Sequence, residues 1–253
     1  MTPVARALPE VLEEQNYRNP ADSSKTAFAK AYNITSGAYT WRPSDPTVLA
    51  AFHEFMKSLR ANTKPWTEGF PMKTLKLSEE DIQQDRALFV DVGGNQGGQC
   101  ISLRHLHPEL KGRVIVQDQE SVLADADHDA LKTYKVESMA HDFFQPQPIQ
   151  GAKAYYMRNI MHDWNDVKCI EILKRLREVL VEDSVVLIHD NVLPDFGASW
   201  KQAQNDLQMM AAHAALERSE SQWKDLLADA GLKIRDICNY DEDASPVIVA
   251  VAA

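Results

Sequence analysis

Basic residues are scarce in this chain: 27 Lys and Arg stand against 37 Asp and Glu, a formal net charge of -10 over 253 residues. Nucleic acid and anionic membrane surfaces are gripped by clustered Lys and Arg, and no basic stripe is visible, so neither partner is expected. Cysteine is also sparse. Cys100, Cys169 and Cys238 are far apart and odd in number, which suggests neither a disulfide framework nor a zinc site and fits a reducing cytoplasm. No apolar run reaches 18 residues and the first residues lack an apolar leader core, so a soluble intracellular protein is expected. Internal repeats, low-complexity tracts and long runs of like charge are missing too. Only ten glycines occur, and four of them, Gly93, Gly94, Gly97 and Gly98, fall together.

That cluster organises the reading. From Ala87 the chain runs Leu-Phe-Val-Asp-Val into Gly93-Gly-Asn-Gln-Gly97-Gly98 and then into an amphipathic segment, the pattern of a buried strand turning sharply into a helix. Without a Cβ the backbone can take φ > 0, and a ligand can lie against the main chain at the positive end of the helix. A dinucleotide fingerprint would want glycine where Asn95 stands, so the match is imperfect. A turn that binds nothing is the competing reading.

The length allows one large domain or a domain with a helical extension, and the second is expected: residues 1–84 as a helical connector or lid, 85–253 as the main domain. The first part alternates short helical patterns with Pro-rich breaks around Pro43, Pro46, Pro65 and Pro71. Helices are expected over Ser24–Tyr32 and Thr47–Leu59, the latter capped by Asp45. Its aromatic residues Phe28, Tyr32, Trp41, Phe52, Phe55, Trp66 and Phe70 read first as packing groups and second as walls of a pocket. Strands and helices then alternate, which implies βαβ units and a parallel sheet. The strands expected are Leu88–Val92, Arg113–Gln117, Lys135–Ala140, Ala152–Met157 and Ser184–His189. Helices are expected over Gly98–His107, Ser121–Lys132, Asp166–Leu180, Ser199–Leu216 and Ser219–Ala230. Lys233–Tyr240 and Pro246–Ala252 read as a hairpin-like pair that adds an antiparallel strand.

Ligands of open α/β sheets bind beyond the carboxyl ends of the strands. The five expected strands end at Gly93-Gly94, Asp118, Asp142, Arg158-Asn159 and Asp190. Asp118 is placed to accept from both hydroxyls of a ribose, and Asp142 from the amine of an adenine; a helix cap or turn residue is the plainer role for each. The segment Arg158-Asn-Ile-Met-His162-Asp-Trp164 presents a histidine just after a strand. Asp190 and Glu217 can reach the same rim, and an imidazole flanked by carboxylates suits general-base work.

The set Val90-Asp-Val-Gly-Gly, Gln117-Asp118-Gln119, His141-Asp142-Phe-Phe, Arg158-Asn-Ile-Met-His162-Asp-Trp, His189-Asp190-Asn-Val-Leu-Pro194 and Glu217-Arg-Ser-Glu-Ser-Gln-Trp223 resembles the catalytic half of plant and fungal small-molecule O-methyltransferases. These are class I S-adenosylmethionine (SAM) enzymes of the caffeic-acid type. The resemblance covers residues from about 85 onward, with its motifs in order. It implies a doubly wound, Rossmann-like α/β sheet, mostly parallel, preceded by a helical extension. It further implies Gly93, Gly94 and Gly97 along the methionine moiety of SAM, Asp118 at the ribose, Asp142 and Phe143 at the adenine, and Gln119 and Arg158 among the cofactor-binding residues. His162 falls on the general base, Asp190 and Glu217 on the acids beside it, and Trp164, Met209, Met210 and His213 on the acceptor pocket. Met209 and Met210 read first as plain core and second as pocket walls.

The implied reaction is transfer of the sulfonium methyl to a phenolic or enolic oxygen of a small aromatic acceptor, with no metal. Members of the resembled family begin with a winged-helix module that dimerises. This chain starts after that point, which leaves dimerisation and closure of the acceptor pocket open between a homodimer and a partner chain in the module's place. Two alternatives stay open: a SAM-binding enzyme that promotes rearrangement, cyclisation or dehydration without transfer, and a truncated non-catalytic partner. A NAD-dependent dehydrogenase fits less well, given Asn95 and the histidine-acid set.

Overall fold

A computed structural model describes residues 3–35, 37, 38, 47, 50, 51, 54, 64–240 and 245–253. In chain order its elements are α1 (Pro3–Glu14), α2 (Ala27–Tyr32), α3 (Trp66–Gly69), α4 (Glu79–Gln83), β1 (Ala87–Val92), α5 (Gly98–Leu106), β2 (Arg113–Asp118), α6 (Glu120–Leu123), α7 (His128–Thr133), β3 (Val136–Ala140) and β4 (Ala154–Arg158). There follow α8 (Asp166–Arg177), β5 (Val185–His189), β6 (Val192–Leu193), α9 (Trp200–His213), β7 (Arg218–Ser219), α10 (Glu220–Asp229), β8 (Leu232–Cys238) and β9 (Val247–Ala252). The chain divides into two compact units. One comprises Lys64–Met161, Val167–Asp190 and Trp223–Ala253, and the other Met1–Thr63, His162–Asp166 and Asn191–Gln222.

The first unit is built on a seven-stranded sheet of order β3-β2-β1-β4-β5-β9-β8. Its first five strands are parallel, and β9 runs antiparallel between β5 and β8. Every residue of β1 and β5 is buried, as continuous apolar runs in a doubly covered sheet require. Trp66 and Phe70 belong to this core: Trp66 stacks on Tyr156 with centroids 4.8 Å apart and 18° between planes. Strand order reverses between β1 and β4, and the crevice of such a sheet lies there, beyond the carboxyl ends of its strands.

Several boundaries differ from the sequence pattern for identifiable reasons. The helix expected over Ser121–Lys132 is two short helices, because Asp127 takes the Ala130 N–H and caps a fresh start. Strand four begins at Ala154; Ala152 instead gives its N–H to the Tyr155 hydroxyl. Ser24–Tyr32 is a 3-10 turn followed by α2, which Thr26 caps. The helix expected to run to Leu216 stops at His213, where Ala214 turns left-handed with φ 57°. Of the expected helix over Thr47–Leu59 only Thr47, Ala50, Ala51 and Glu54 are described, all four helical; its other residues, its cap Asp45, the break around Pro43 and Pro46, and Trp41, Phe52 and Phe55 lie outside the described residues, as do 241–244 of the last turn.

In the second unit α1, α2 and α9 pack around Val11, Ala27 and Ala211, with Val4, Ala7 and Leu8 against them. Helix α9 starts on a capping box of Ser199 and Gln202. Short strands β6 and β7 pair in parallel, Val192 opposite Arg218 and Leu193 opposite Ser219. No helix among the described residues is long and apolar enough to cross a membrane.

Candidate active site

In the sheet unit the glycine turn is a backbone structure first. Gly93 and Gly97 have φ of 73° and 83°, and a Cβ on Gly93 would stand 2.7 Å from Ile160 Cδ1. The Gly93 and Gly94 N–H groups donate to the Gln117 carbonyl at 2.8 and 3.0 Å. Asn95, the apparent misfit of the fingerprint, takes φ 55°, which asparagine tolerates better than most residues. Its N–H donates to Asp118 Oδ2 at 2.8 Å, while Gln119 N–H reaches Oδ1 of the same carboxylate at 2.8 Å. Burial raises the Asp118 pKa, and these two donors only partly offset that.

The remaining strand ends of this unit are tied locally. Asp142 accepts the Phe144 N–H at 3.0 Å, an Asx turn, and Phe143 meets Phe144 edge to face at 5.0 Å. Arg158 closes β4 and is half-buried. Asp190 is fully buried after β5, and its Oδ2 accepts the Met161 N–H at 3.1 Å. One residue earlier, His189 lies between two hydroxyls, with Nδ1 2.6 Å from Tyr156 and Nε2 2.9 Å from Tyr240. Burial, assisted by the charge of Arg158, lowers its pKa to about 3.

The second unit holds the other histidine. His162 Nδ1 is 3.1 Å from Glu217 Oε1, and the Glu217 side chain is 2% exposed. Glu217 Oε2 is buried and has no hydrogen-bond partner among the described residues. The Glu217 N–H donates to Asp206 Oδ1 of α9 at 3.0 Å. Burial, and to a lesser degree the charge of Glu217, raises the Asp206 pKa. Asp163 Oδ1 lies 3.9 Å from His162 Nε2 and 3.6 Å from His213 Nδ1, so it stands near both rings. Arg218, next to Glu217, donates to Asp166 at 2.8 and 3.0 Å and to the Trp164 carbonyl at 2.9 Å.

Of the two expected acids, Glu217 meets His162 inside one unit, whereas Asp190 belongs to the other. Met209 and Met210 are half-buried on α9, where His213 is buried. An open cleft of about 570 Å³ in this unit is lined by Leu193, Asp195, Phe196, Asp206 and Glu217 among others. Trp164, Met209, Met210 and His213 are not among its lining residues. Three contributors escaped the sequence reading: Asp163, Asp206 and Arg218. Asp163 and Arg218 stood inside the quoted motifs, but nothing local singles out Asp206. Among the described residues no three His, Cys, Asp or Glu side chains form a group that could hold a metal ion.

Residues 12–233 match the family model described as an O-methyltransferase domain. The chain belongs to the O-methyltransferase domain family. This family member is 36% identical over 250 residues to demethylsterigmatocystin 6-O-methyltransferase of Aspergillus flavus, over 99% of its own length and 63% of that protein's. Among solved structures, the LepI complex with SAM matches it with a TM-score of 0.87 and 35% identity, covering 99% of this chain and 64% of that one. A structure described as a pericyclic reaction enzyme matches at TM-score 0.86 and 35% identity, with the same coverage. The O-methyltransferase-family chain thus spans about three fifths of the length of such relatives. Its mainly parallel sheet with an antiparallel C-terminal strand is the architecture that the motifs implied.

Proposed function

We propose that this chain is the catalytic part of a SAM-dependent O-methyltransferase that moves a methyl group to a phenolic or enolic hydroxyl of a small aromatic acceptor, with His162 as general base. The observation that carries the reading is the 3.1 Å contact between His162 Nδ1 and the buried Glu217 carboxylate. A carboxylate at Nδ1 keeps the proton on that nitrogen and leaves the Nε2 lone pair to act as base. Full proton transfer from a phenol near pKa 10 to an imidazole near 6.5 is uphill by roughly 5 kcal/mol. Glu217 stabilises the imidazolium that forms, and holding the reactants in line supplies on the order of 7–11 kcal/mol, the larger contribution. Asp190 supports the same base through the backbone, since it holds the N–H of the residue before His162.

The sheet rim fits SAM on its own features. Asp118 is a half-buried carboxylate with a raised pKa, and ribose hydroxyls are donors that would stabilise its charge. Gly93 leaves no room for a side chain where backbone must meet ligand. We assign Gly93, Gly94 and Gly97 to the methionine moiety, Asp118 and Gln119 to the ribose, Asp142 and Phe143 to the adenine, and Arg158 to the cofactor's vicinity. When bound, SAM supplies an electrophilic methyl group on a cationic sulfur. Trp164, Met209, Met210 and His213 are assigned to the acceptor pocket; thioethers suit a flat aromatic face. We assign the 85–253 segment as catalytic, 1–84 as its connector, a cytoplasmic setting, and a homodimer or partner chain as the working form.

Incubation with SAM and a panel of phenols tests the proposal, with S-adenosylhomocysteine and methylated product read by mass spectrometry. Bound SAM with no S-adenosylhomocysteine from any acceptor would count against it. A second reading is favoured by the similarity to the structure described as a pericyclic reaction enzyme. On this second reading the charge of bound SAM would assist a rearrangement in this chain, and substrate would be consumed without S-adenosylhomocysteine.

A further inference from the structure

We propose that Arg218 is a positioning residue for His162, holding the loop that carries the imidazole in register with Glu217. This rests on His162 being the base. The loop is His162–Asp166, five residues that run from within a 3-10 turn over Met161–Asp163 to Asp166, the first residue of α8. Two consecutive residues grip it at both ends. Glu217 takes His162, while Arg218 takes the Trp164 carbonyl and the Asp166 carboxylate. Glu217 is itself fixed, because its N–H is bound by Asp206 and Arg218 is paired with Val192 in the β6–β7 ladder. The carboxylate therefore has a rigid mount, and the position of the ring depends on what fixes its own loop.

The character of the ion pair supports a geometric role. The Arg218 side chain is 0% exposed, whereas Asp166 is 61% exposed. Burying a guanidinium is costly even when it is paired, so such a pair is weak evidence for stabilisation. What the planar fork adds is reach: one group binds a carbonyl and a carboxylate two residues apart, which a lysine ammonium on a flexible stem holds less rigidly. Asn165, between those two, donates its Nδ2 to the Ala21 carbonyl at 3.0 Å, so the loop is held from a second direction. If the Arg218 contacts loosen, the Nδ1 contact with Glu217 lengthens, and the ring reverts toward the mixture of tautomers it has in water.

The test uses Arg218→Lys and Asp166→Asn in the full chain. Nitrogen-15 spectra of the imidazoles report the tautomer, with the His162 signal identified by its loss in His162→Gln. The native chain is expected to show His162 protonated at Nδ1, and both variants a rising share of the Nε2–H form. With an acceptor that the native chain methylates, kcat should fall about tenfold while the KM for SAM stays within about twofold, as for loss of a group that orients a catalytic one. Should Arg218→Lys fail to fold, Asp166→Asn carries the test alone, since its carboxylate is largely in solvent. Folded variants with the native tautomer would overturn the proposal, whatever their kcat. A tautomer shift with unchanged kcat would keep the clamp and overturn His162 as the base.

Discussion

His189 sits in the sheet unit, 1% exposed, with its ring nitrogens facing the hydroxyls of Tyr156 and Tyr240. His162 sits in the other unit, its side chain 18% exposed, with Nδ1 facing the Glu217 carboxylate. His189 closes one parallel strand and His162 follows shortly after another, and both stand inside motifs of similar look. Hydroxyls satisfy a neutral ring but offset little of the cost of charging it, so burial keeps His189 unprotonated and structural. A carboxylate does the opposite. It orients the ring and shares the charge that a base acquires, which is why the catalytic assignment goes to the less buried of the two.

The comparison breaks first at His162. On the proposed reading His162→Ala lowers turnover at least ~100-fold while SAM binding, followed by calorimetry, is unchanged; near-native turnover would remove the base assignment. Glu217→Gln keeps the shape but not the charge, and a loss of roughly 30-fold in kcat is expected from removing a carboxylate that orients and supports an imidazole. Steady-state kinetics on purified, folded protein read it, and a native kcat would mean that the contact orients nothing.

For His189 the readout is stability. Its folded pKa of about 3 lies below the ordinary 6.5, so the unfolded chain takes up the proton first as pH falls. The contribution is complete above about pH 6.5 and is lost on the way down to 3. Between pH 7.5 and 5 this amounts to about 2 kcal/mol, seen as a fall in the urea midpoint that His189→Gln should largely abolish. The smallest effect is expected for Tyr240→Phe. Removing one hydroxyl from the ring costs about 1 kcal/mol of stability and leaves turnover at the native level, so a variant that loses activity instead would blur the line between the two histidines.

Much of the sheet was legible because its signals are local. Continuous apolar runs marked β1, β2 and β5 to within one residue, and the glycine cluster marked the turn that follows β1. Asn95 looked like a defect in the pattern, yet its left-handed backbone does what a glycine would do, and only the observed φ reveals this. The expected helix over Ser121–Lys132 hid a break, because Asp127 reads equally as a helix residue or as the cap of a new helix. The histidine cluster was only half legible. His162 was legible from its place after a strand end and Glu217 as an acid able to reach the same rim, but no periodicity pairs two residues 55 positions apart, and Asp206 carried no signal at all.

The sequence by itself determined the alternation of strands and helices, the polar strand ends and the acidic, cysteine-poor character of the chain, since each depends on residue type and short-range spacing. Tertiary structure decided which imidazole meets a carboxylate and which meets hydroxyls. It also decided that Arg218 is buried against the loop of His162. Side-chain partners are set by strand pairing and helix packing across many residues of chain, and no local pattern carries that information.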